Sequence, residues 1–179
     1  MLMHWSIARQ SLTKCVPLVA MGVWQDYFGA LLFTRLMGPR VMNVSVANSS
    51  TVRAWGHCGS PTVRGSGAKN ELTLLLLNLL NGTNTVDISK VTRSEAPGAS
   101  AASAPRVDYI LTPSSASKAV SEDGNVLQSD MVNLNGRPLA MVGDRLPALD
   151  GKEVDGAAVT TLKLPPLAVA FTVIQNPSV

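Results

Sequence analysis

The hydrophobic periodicity of the chain changes once, at Gly38, from the spacing of a helix to the alternation of strands. Before this point, apolar residues recur three and four positions apart in the stretch DYFGALLFTRLMGP: Phe28, Leu31, Leu32 and Leu36. Asp26 can cap the free amides of the first turn, and the Gly-Pro pair ends the pattern. The sequence therefore predicts a helix over residues 26–37, with a broad apolar face that packs against a substantial surface.

Beyond Gly38, short alternating stretches are separated by turn residues, a pattern typical of an antiparallel sheet. They lie at residues 40–46, 51–58, 85–88 and 106–113. The leucine-rich run at 72–80 fits a buried strand or a helix, and the turns and short strands around it favour a strand. We therefore predict a mainly β fold, an antiparallel β-sandwich preceded by one or two helical segments.

A hairpin is predicted in LQSDMVNLNGRPLAM (127–141), where Asn135 and Gly136 separate two alternating stretches. Both residues tolerate positive φ, so a type I′ turn can join the strands with matching twist. The last apolar run, LAVAFTVI at 167–174, follows Pro165 and Pro166, which cannot pair in a sheet interior. Because this run is apolar on both faces, we expect it to begin after the prolines and to lie in the middle of the core.

Composition limits the classes of function. With 46% hydrophobic and 15% charged residues, the chain can bury a core. The net charge of +3 comes from scattered Lys and Arg, which indicates a solvated surface, and we expect no nucleic-acid partner. The low-complexity stretch RSEAPGASAASAP (93–105) predicts a flexible surface insertion, with an Ala/Ser helix as the alternative.

Two cysteines and two histidines are too few for a disulfide framework or a zinc site. Cys15 and Cys58 have no CxxC spacing, and His4 and His57 are far apart. We therefore expect no metal and no cofactor. The two cysteines are interpreted as buried thiols or as a single pair, Cys15–Cys58.

The beginning of the chain imitates a targeting segment. An apolar run at 15–24 follows Arg9 and Lys14, but Pro17, Gly22 and the lack of a clear cleavage site argue against a signal peptide or anchor. Three N-glycosylation triplets begin at Asn43, Asn48 and Asn81. These triplets are compatible with a secretory route without establishing it.

A series of motifs runs in order from residue 26 to the end: DYFGALLFTRLMGPRVM, VRAWGHC, LTLLLLNLLNGT, YILTP, LQSDMVNLNGRPL, LPAL and LPPLAVAFTVIQNP. In this order they resemble the C-terminal part of the heparanase-like proteins, β-glucuronidases of glycoside hydrolase family 79, and their plant-type members in particular. In that family a (β/α)8 barrel carries the catalysis and a β-sandwich packs against it. The resemblance implies that residues 1–38 are a remnant of the barrel, ending in its last helix, and that residues 39–179 are the sandwich.

The resemblance also implies partners and a location. The partners would be a catalytic barrel of the same family and an acidic polysaccharide or a glucuronide. The location would be secreted or vacuolar-lysosomal, with membrane association as an alternative. Cys58 resembles a family cysteine that pairs near the C-terminus. No such partner follows Cys58, so that bridge is absent or is replaced by Cys15–Cys58.

Catalysis is where the chain departs from the family. Retaining hydrolysis needs two carboxylates roughly 5 Å apart, and the family takes both glutamates from barrel strands upstream of these motifs. The glutamates available here are predicted to lie in surface turns or loops: Glu71, Glu95, Glu122 and Glu153. The sugar-contacting Gly-Asn-Tyr loop of the family is also not recognisable after Gln10. We therefore assign no catalytic residue and expect the chain to be inactive alone.

A second hypothesis from another class is a non-catalytic carbohydrate-binding or interaction module. Sandwiches that bind sugars usually present exposed aromatic side chains. Only 4% of the residues are aromatic, and several of them lie in apolar patterns. The sequence therefore favours the supporting domain over the binding module.

Overall fold

A computed structural model describes residues 25–47, 49–59, 71–92, 104–114, 131–155 and 160–175. These ranges contain two helices and ten strands. In chain order they are α1 (Gln25–Leu36), β1 (Met37–Met42), β2 (Val52–Gly59), β3 (Glu71–Asn78), β4 (Asn84–Asp87), α2 (Ser89–Thr92), β5 (Arg106–Pro113), β6 (Val132–Leu134), β7 (Arg137–Leu139), β8 (Lys152–Val154), β9 (Thr161–Leu164) and β10 (Val169–Gln175). All strand pairs are antiparallel, which confirms the predicted mainly β fold.

The strands form a large sheet and a small sheet. The large sheet has the order β1-β2-β3-β10-β5-β6-β7, and β8 pairs with β5 beside β6. The small sheet consists of β4 and β9. It packs against one face of the large sheet, where Leu162 and Leu164 of β9 meet Leu74 and Leu76 of β3. We call this side of the large sheet the small-sheet face.

Helix α1 packs against the opposite side of the large sheet, the helix face. Its residues Phe28, Leu32 and Leu36 are buried in one cluster with Tyr109 of β5 and Phe171 of β10. These are residues of the predicted apolar stripe, and the helix lies within one residue of its predicted bounds. A three-layer arrangement results, with the large sheet between the helix and the small sheet.

The last predicted strand is central, as expected. β10 pairs with β3 on one side and with β5 on the other, and residues 170–174 are buried on both faces. Pro165 and Pro166 lie outside the strand, which begins at Val169. Burial on both faces explains why this stretch is continuously apolar rather than alternating.

The predicted Asn-Gly hairpin is also present. Asn135 and Gly136 have φ of 50° and 79° between β6 and β7, where Leu134 pairs with Arg137. Two successive positive φ values are the signature of a type I′ turn. The Asn135 side chain adds a second function, because its Nδ2 donates to the carbonyl of Asp108 and its Oδ1 accepts from the amide of Ile110.

The first strand differs from the prediction. β1 follows α1 directly at Met37, so Gly38 and Pro39 lie inside the strand, which ends at Met42 rather than at residue 46. The register shifts between Met37 and Val41, because proline has no amide hydrogen for the ladder. A Cβ at Gly38 would lie 2.8 Å from the carbonyl oxygen of Gly59, so only glycine allows this close approach.

Some elements were not predicted, and some predictions lie outside the described residues. The short elements α2, β8 and β9 have three or four residues each and carry little periodicity. Residues 93–103 of the predicted insertion lie outside the described residues, whereas Ala104 is buried beside the small sheet. No helix in the described ranges has the length and apolarity needed to cross a membrane.

Candidate functional site: an apolar groove on the helix face

An open groove of about 430 Å³ lies between α1 and the helix face. Its helical wall includes Ala30 and Phe33, and its floor includes Leu77 of β3, Leu111 of β5 and Val169 of β10. None of the described side chains that line it carries a charge. The groove can therefore receive an apolar side chain, but it offers no acid, base or metal ligand for chemistry.

Exposed apolar side chains lie on α1 and on the strands of the helix face beyond the groove. Tyr27 and Phe33 of α1 are 46% and 42% exposed, Trp55 of β2 is 43% exposed and Val41 of β1 is 71% exposed. Trp55 pairs in register with Leu75, which lines the groove, so both side chains point to the helix face. Four of the nine exposed large hydrophobic side chains of the described residues therefore lie in this layer, and such a concentration marks an interaction surface.

The wall of the groove is held firmly to the sheet. The hydroxyl of Thr73 in β3 donates to the carbonyl of Leu36 at 2.9 Å, which fixes the end of α1. His57 of β2 places Nδ1 2.7 Å from the carbonyl oxygen of Gly38, and its ring makes a T-shaped contact with the ring of Phe33 at a centroid distance of 5.8 Å. The helix therefore presents Phe33 from a fixed position.

Leu167, which lines the groove, has a strained backbone. Its φ is 53°, a left-handed conformation that is uncommon for a bulky residue and costs about 1 kcal/mol. Its amide donates to the carbonyl of Leu80 at 3.0 Å, which holds the turn in place. Glycine would adopt this conformation without strain, but it would lack the side chain that lines the groove.

A buried polar cluster lies on the other side of the large sheet. Arg106 and Asp108 of β5 form an ion pair at 3.0 Å, with side chains only 3% and 5% exposed. Asp108 also accepts a hydrogen bond from the hydroxyl of Thr172, and both terminal nitrogens of Arg106 donate to the carbonyl of Thr161. Burial raises the pKa of the Asp108 carboxyl above its ordinary value, and the Arg106 charge and the Thr172 hydroxyl offset part of that increase. Because Thr161 belongs to β9, the cluster ties the small sheet to the large one.

The glutamates do not form a catalytic pair where the structure describes them. Glu71 begins β3 and Glu153 lies in β8, so the prediction that they sit in turns or loops was wrong. In the large sheet, β3 and β8 are separated by β10 and β5, which places them three strand spacings, or roughly 14 Å, apart. This separation greatly exceeds the roughly 5 Å of a retaining pair. Glu95 and Glu122 lie outside the described residues.

The remaining predicted sites are placed only in part. Asn43 and Asn81 are exposed, whereas Asn48 lies outside the described residues. Cys58 is half-buried and forms no disulfide within the described ranges. Cys15 and His4 are not described, so the Cys15–Cys58 pair stays a prediction. No cluster of three or more His, Cys, Asp or Glu side chains that could hold a metal ion occurs in the part of the chain that the structure describes.

Comparison with known proteins identifies the relatives of this chain. No family model matches it. It is 35% identical to heparanase from Gallus gallus over 155 residues, which cover 84% of this chain and 26% of that protein. It is 30% identical to inactive heparanase-2 from Homo sapiens over 167 residues, covering 84% of this chain and 24% of that protein. It is also 30% identical over 154 residues to baicalin-beta-D-glucuronidase from Scutellaria baicalensis, covering 86% and 24%. The chain is a heparanase-like C-terminal region.

This heparanase-like region spans about a quarter of the length of the relatives it matches. The relatives include a protein named as a glucuronidase and a protein named as inactive, so the shared region is glycoside hydrolase-like without defining an activity. Among solved structures, a bifunctional glucanase-xylanase from a metagenome library matches with a TM-score of 0.45 and 16% identity, covering 84% of this chain and 22% of that one. This likeness is too weak to support an argument about function.

The groove itself was not predicted from the sequence. Its floor residues belong to strands that were predicted, but which of them stay uncovered depends on how far α1 extends over the sheet. The one available signal was the width of the apolar face of the helix, because Ala30 and Phe33 lie beside the buried stripe.

Proposed function

We propose that this chain is the non-catalytic C-terminal β-sandwich part of a heparanase-like glycoside hydrolase, and that its helix face supports a catalytic (β/α)8 barrel. The observation that carries the proposal is the asymmetry between the two faces of the large sheet. The small sheet packs on one face, whereas the helix face has an uncharged groove and several exposed aromatic and aliphatic side chains. A surface of this kind favours burial against a second apolar surface.

The position of α1 and its exposed side chains support a barrel as the partner. The helix precedes the first strand of the sandwich directly, and it buries one side on the sheet while exposing Tyr27 and Phe33 on the other. A helix at the end of a barrel needs two such contacts, one to the barrel and one to the domain that follows. On this proposal α1 is shared between the two domains.

The absence of hydrolytic activity in the isolated chain is part of the proposal. The described glutamates, Glu71 and Glu153, are too far apart to act as a retaining pair, and the groove has no charged lining among the described residues. The similarity to inactive heparanase-2 as well as to heparanase agrees with an activity that resides elsewhere in the whole protein.

The experiment is a complementation assay. The 179-residue chain is first tested alone on an aryl β-glucuronide, and we expect no turnover above the uncatalysed rate. It is then co-expressed with the part of Gallus gallus heparanase that precedes the matched region, and we expect the two pieces to co-purify. Turnover by the chain alone would refute the non-catalytic role, and an in-frame barrel encoded upstream of Met1 would support it directly.

A pair of charge variants tests the docking face. Phe33→Asp places a charge at the wall of the groove and should abolish co-purification, because burying an unpaired carboxylate is strongly unfavourable. Thr85→Asp is the matched control, since Thr85 is exposed on the small sheet, away from the helix face. Equal co-purification of the two variants would contradict docking through the helix face.

Secretion and glycosylation are also part of the proposal. The exposed acceptors Asn43 and Asn81 support N-linked glycans and therefore a secreted or vacuolar-lysosomal location. Expression of the region behind a secretion signal in eukaryotic cells should give a protein whose mobility shifts on glycosidase treatment. Asn43→Gln and Asn81→Gln should each remove one glycan, and a wild-type protein without any mobility shift would contradict this assignment.

One observation favours a second candidate function, a carbohydrate-binding module. The exposed ring of Trp55 lies two residues from the exposed Arg53 in β2, so both point to the same face. A sugar ring can stack on the indole while its carboxylate meets the guanidinium. Binding of a glucuronide-containing polysaccharide at physiological salt, lost in Trp55→Ala, would establish this function, and no binding would exclude it.

A further inference from the structure

The described residues contain two Asn-Gly pairs, Asn81-Gly82 and Asn135-Gly136, and they lie in different surroundings. An Asn-Gly pair is open to intramolecular attack, because the glycine amide nitrogen has no side chain to hinder its approach to the asparagine Cγ. The reaction needs an asparagine side chain that can rotate onto the backbone. Hydrogen bonds that hold the side chain therefore decide whether it occurs.

Hydrogen bonds restrain both the side chain and the backbone of Asn135. Its Nδ2 donates to the carbonyl of Asp108 at 3.0 Å, and its Oδ1 accepts from the amide of Ile110 at 3.0 Å. Its backbone amide donates to the carbonyl of Ile110 at 2.8 Å. The side chain therefore acts as an additional ladder position beside β5, and attack at its Cγ requires these bonds to break.

Asn81 has none of these restraints. It is exposed, and neither its side chain nor the amide of Gly82 makes a hydrogen bond to a residue that the structure describes. The bend around it is held by its neighbour Asn78, which accepts from the amide of Leu80 and donates to the carbonyl of Gly82. The backbone is fixed on both sides of Asn81 while the amide group itself stays free.

We propose that Asn81 is a site of spontaneous deamidation and that Asn135 is protected from it. The amide nitrogen of Gly82 attacks Cγ of Asn81, a new N–C bond forms, and the Cγ–Nδ2 bond breaks as ammonia leaves with the proton from the Gly82 nitrogen. One water molecule then hydrolyses the resulting succinimide to aspartate or isoaspartate. The step needs no oxidant, reductant or enzyme.

The modification changes the surface beside the groove. Asn81 follows Leu80, whose carbonyl holds the strained turn at Leu167, and Leu167 lines the groove. Deamidation places a negative charge, and in the isoaspartate form an additional backbone carbon, next to this turn. It also removes the amide nitrogen to which an N-linked glycan attaches, so the two modifications of Asn81 exclude each other.

The test uses the full chain produced in a bacterial host, where no N-linked glycan is added. The protein is incubated in mildly alkaline buffer, and peptide mapping follows the mass increase at each Asn-Gly pair, with an isoaspartyl methyltransferase assay as a second readout. We expect Asn81 to convert about a hundredfold faster than Asn135. Each of the two side-chain hydrogen bonds of Asn135 at 3.0 Å contributes roughly a tenfold factor, and the longer bond from its Nδ2 to the carbonyl of Asp150, at 3.4 Å, adds little. Equal rates in the folded chain, or faster conversion at Asn135, would overturn the proposal.

Two controls separate structure from local sequence. In urea the two sites should convert at similar rates, because the hydrogen bonds of Asn135 are then lost. Gly82→Ala should slow conversion at Asn81 without disturbing the fold, since an added Cβ meets nothing within 4 Å. Persistent protection of Asn135 in urea, or an unchanged rate at Asn81 in Gly82→Ala, would show that the hydrogen bonds of Asn135 and the glycine after Asn81 do not govern the reaction.

Discussion

The buried ion pair between Arg106 and Asp108 gives the sharpest test of how the two sheets are held together. Asp108→Val leaves the Arg106 guanidinium buried without its counter-charge, and Arg106→Met leaves the Asp108 carboxylate in the same position. Removal of one partner from a buried pair typically costs about 3–5 kcal/mol of unfolding free energy. We expect each single variant to lose stability in this range.

The double variant should lose no more stability than either single variant. Replacing both charged side chains with apolar ones removes the cost of burying charge, and such replacements are often neutral or stabilising. Here the hydroxyl of Thr172 and the carbonyl of Thr161 lose their partners, at about 1–3 kcal/mol for an unsatisfied buried group. The double variant should therefore be at least about as stable as either single variant. Its loss of unfolding free energy should be far smaller than the sum of the two single losses.

Urea unfolding of the full chain, followed by tryptophan fluorescence, measures these free energies. Arg137→Met is the matched control, because Arg137 is exposed in β7 and its removal should change stability by no more than about 0.5 kcal/mol. A loss below about 1 kcal/mol in both single variants would show that the pair is more hydrated than its burial indicates. A double variant that loses the sum of the single costs would show that the two charges act independently.

Three further predictions address the polar core and the packing. Burial raises the pKa of Asp108, so the folded state takes up its proton at a higher pH than the unfolded state. The stability of the wild-type chain relative to Asp108→Asn should therefore rise as the pH falls through the raised pKa toward 3.8. A pH-independent difference in urea titrations would contradict this. Asn78→Ala removes a side chain that donates to the carbonyls of residues 82 and 165 and accepts from the amide of residue 80. Urea denaturation should show a loss of about 2–4 kcal/mol of unfolding free energy. Gly151→Ala places a methyl group against Val107 and the ring of Tyr109, and thermal melting should show a loss of about 1–3 kcal/mol, whereas Gly82→Ala should cost little.

The elements predicted correctly are those with strong local signals. The spacing of Phe28, Leu32 and Leu36 defines α1, and the alternating stretch closed by a proline gives β5 its bounds at Arg106–Pro113. The Asn-Gly pair defines the hairpin because few residues adopt two successive positive φ values. In each case the deciding information lies within a few consecutive residues.

The buried ion pair could not be predicted in this way. Arg106 and Asp108 alternate with apolar residues in β5, a pattern that normally indicates a solvated face. That face is covered by β9, whose partner residue Thr161 lies 55 positions away from Arg106. The four residues of β9 have too weak a pattern to be recognised as a covering strand.

The groove and the bounds of β1 could not be predicted from the sequence for a related reason. A Gly-Pro pair at 38–39 is a strong signal for the end of a helix, and the helix does end there, but the pair also fits inside an edge strand that carries a bulge. The extent of the groove depends on which part of a shared sheet one helix covers. Local sequence patterns indicate neither the extent of the groove nor the bounds of β1, because both arise from the packing of distant segments.

The central position of β10 has a consequence for the synthesis of the protein. Of the strands that the structure describes, β10 leaves the ribosome last, yet it joins β3 to β5. Until it emerges, both neighbouring strands present an open, apolar edge, and each can pair with another nascent chain. A frameshift or stop codon just before Val169 would therefore do more than remove the last strand. It would leave β1-β2-β3 and β5-β6-β7 as two parts of the sheet with no strand between them.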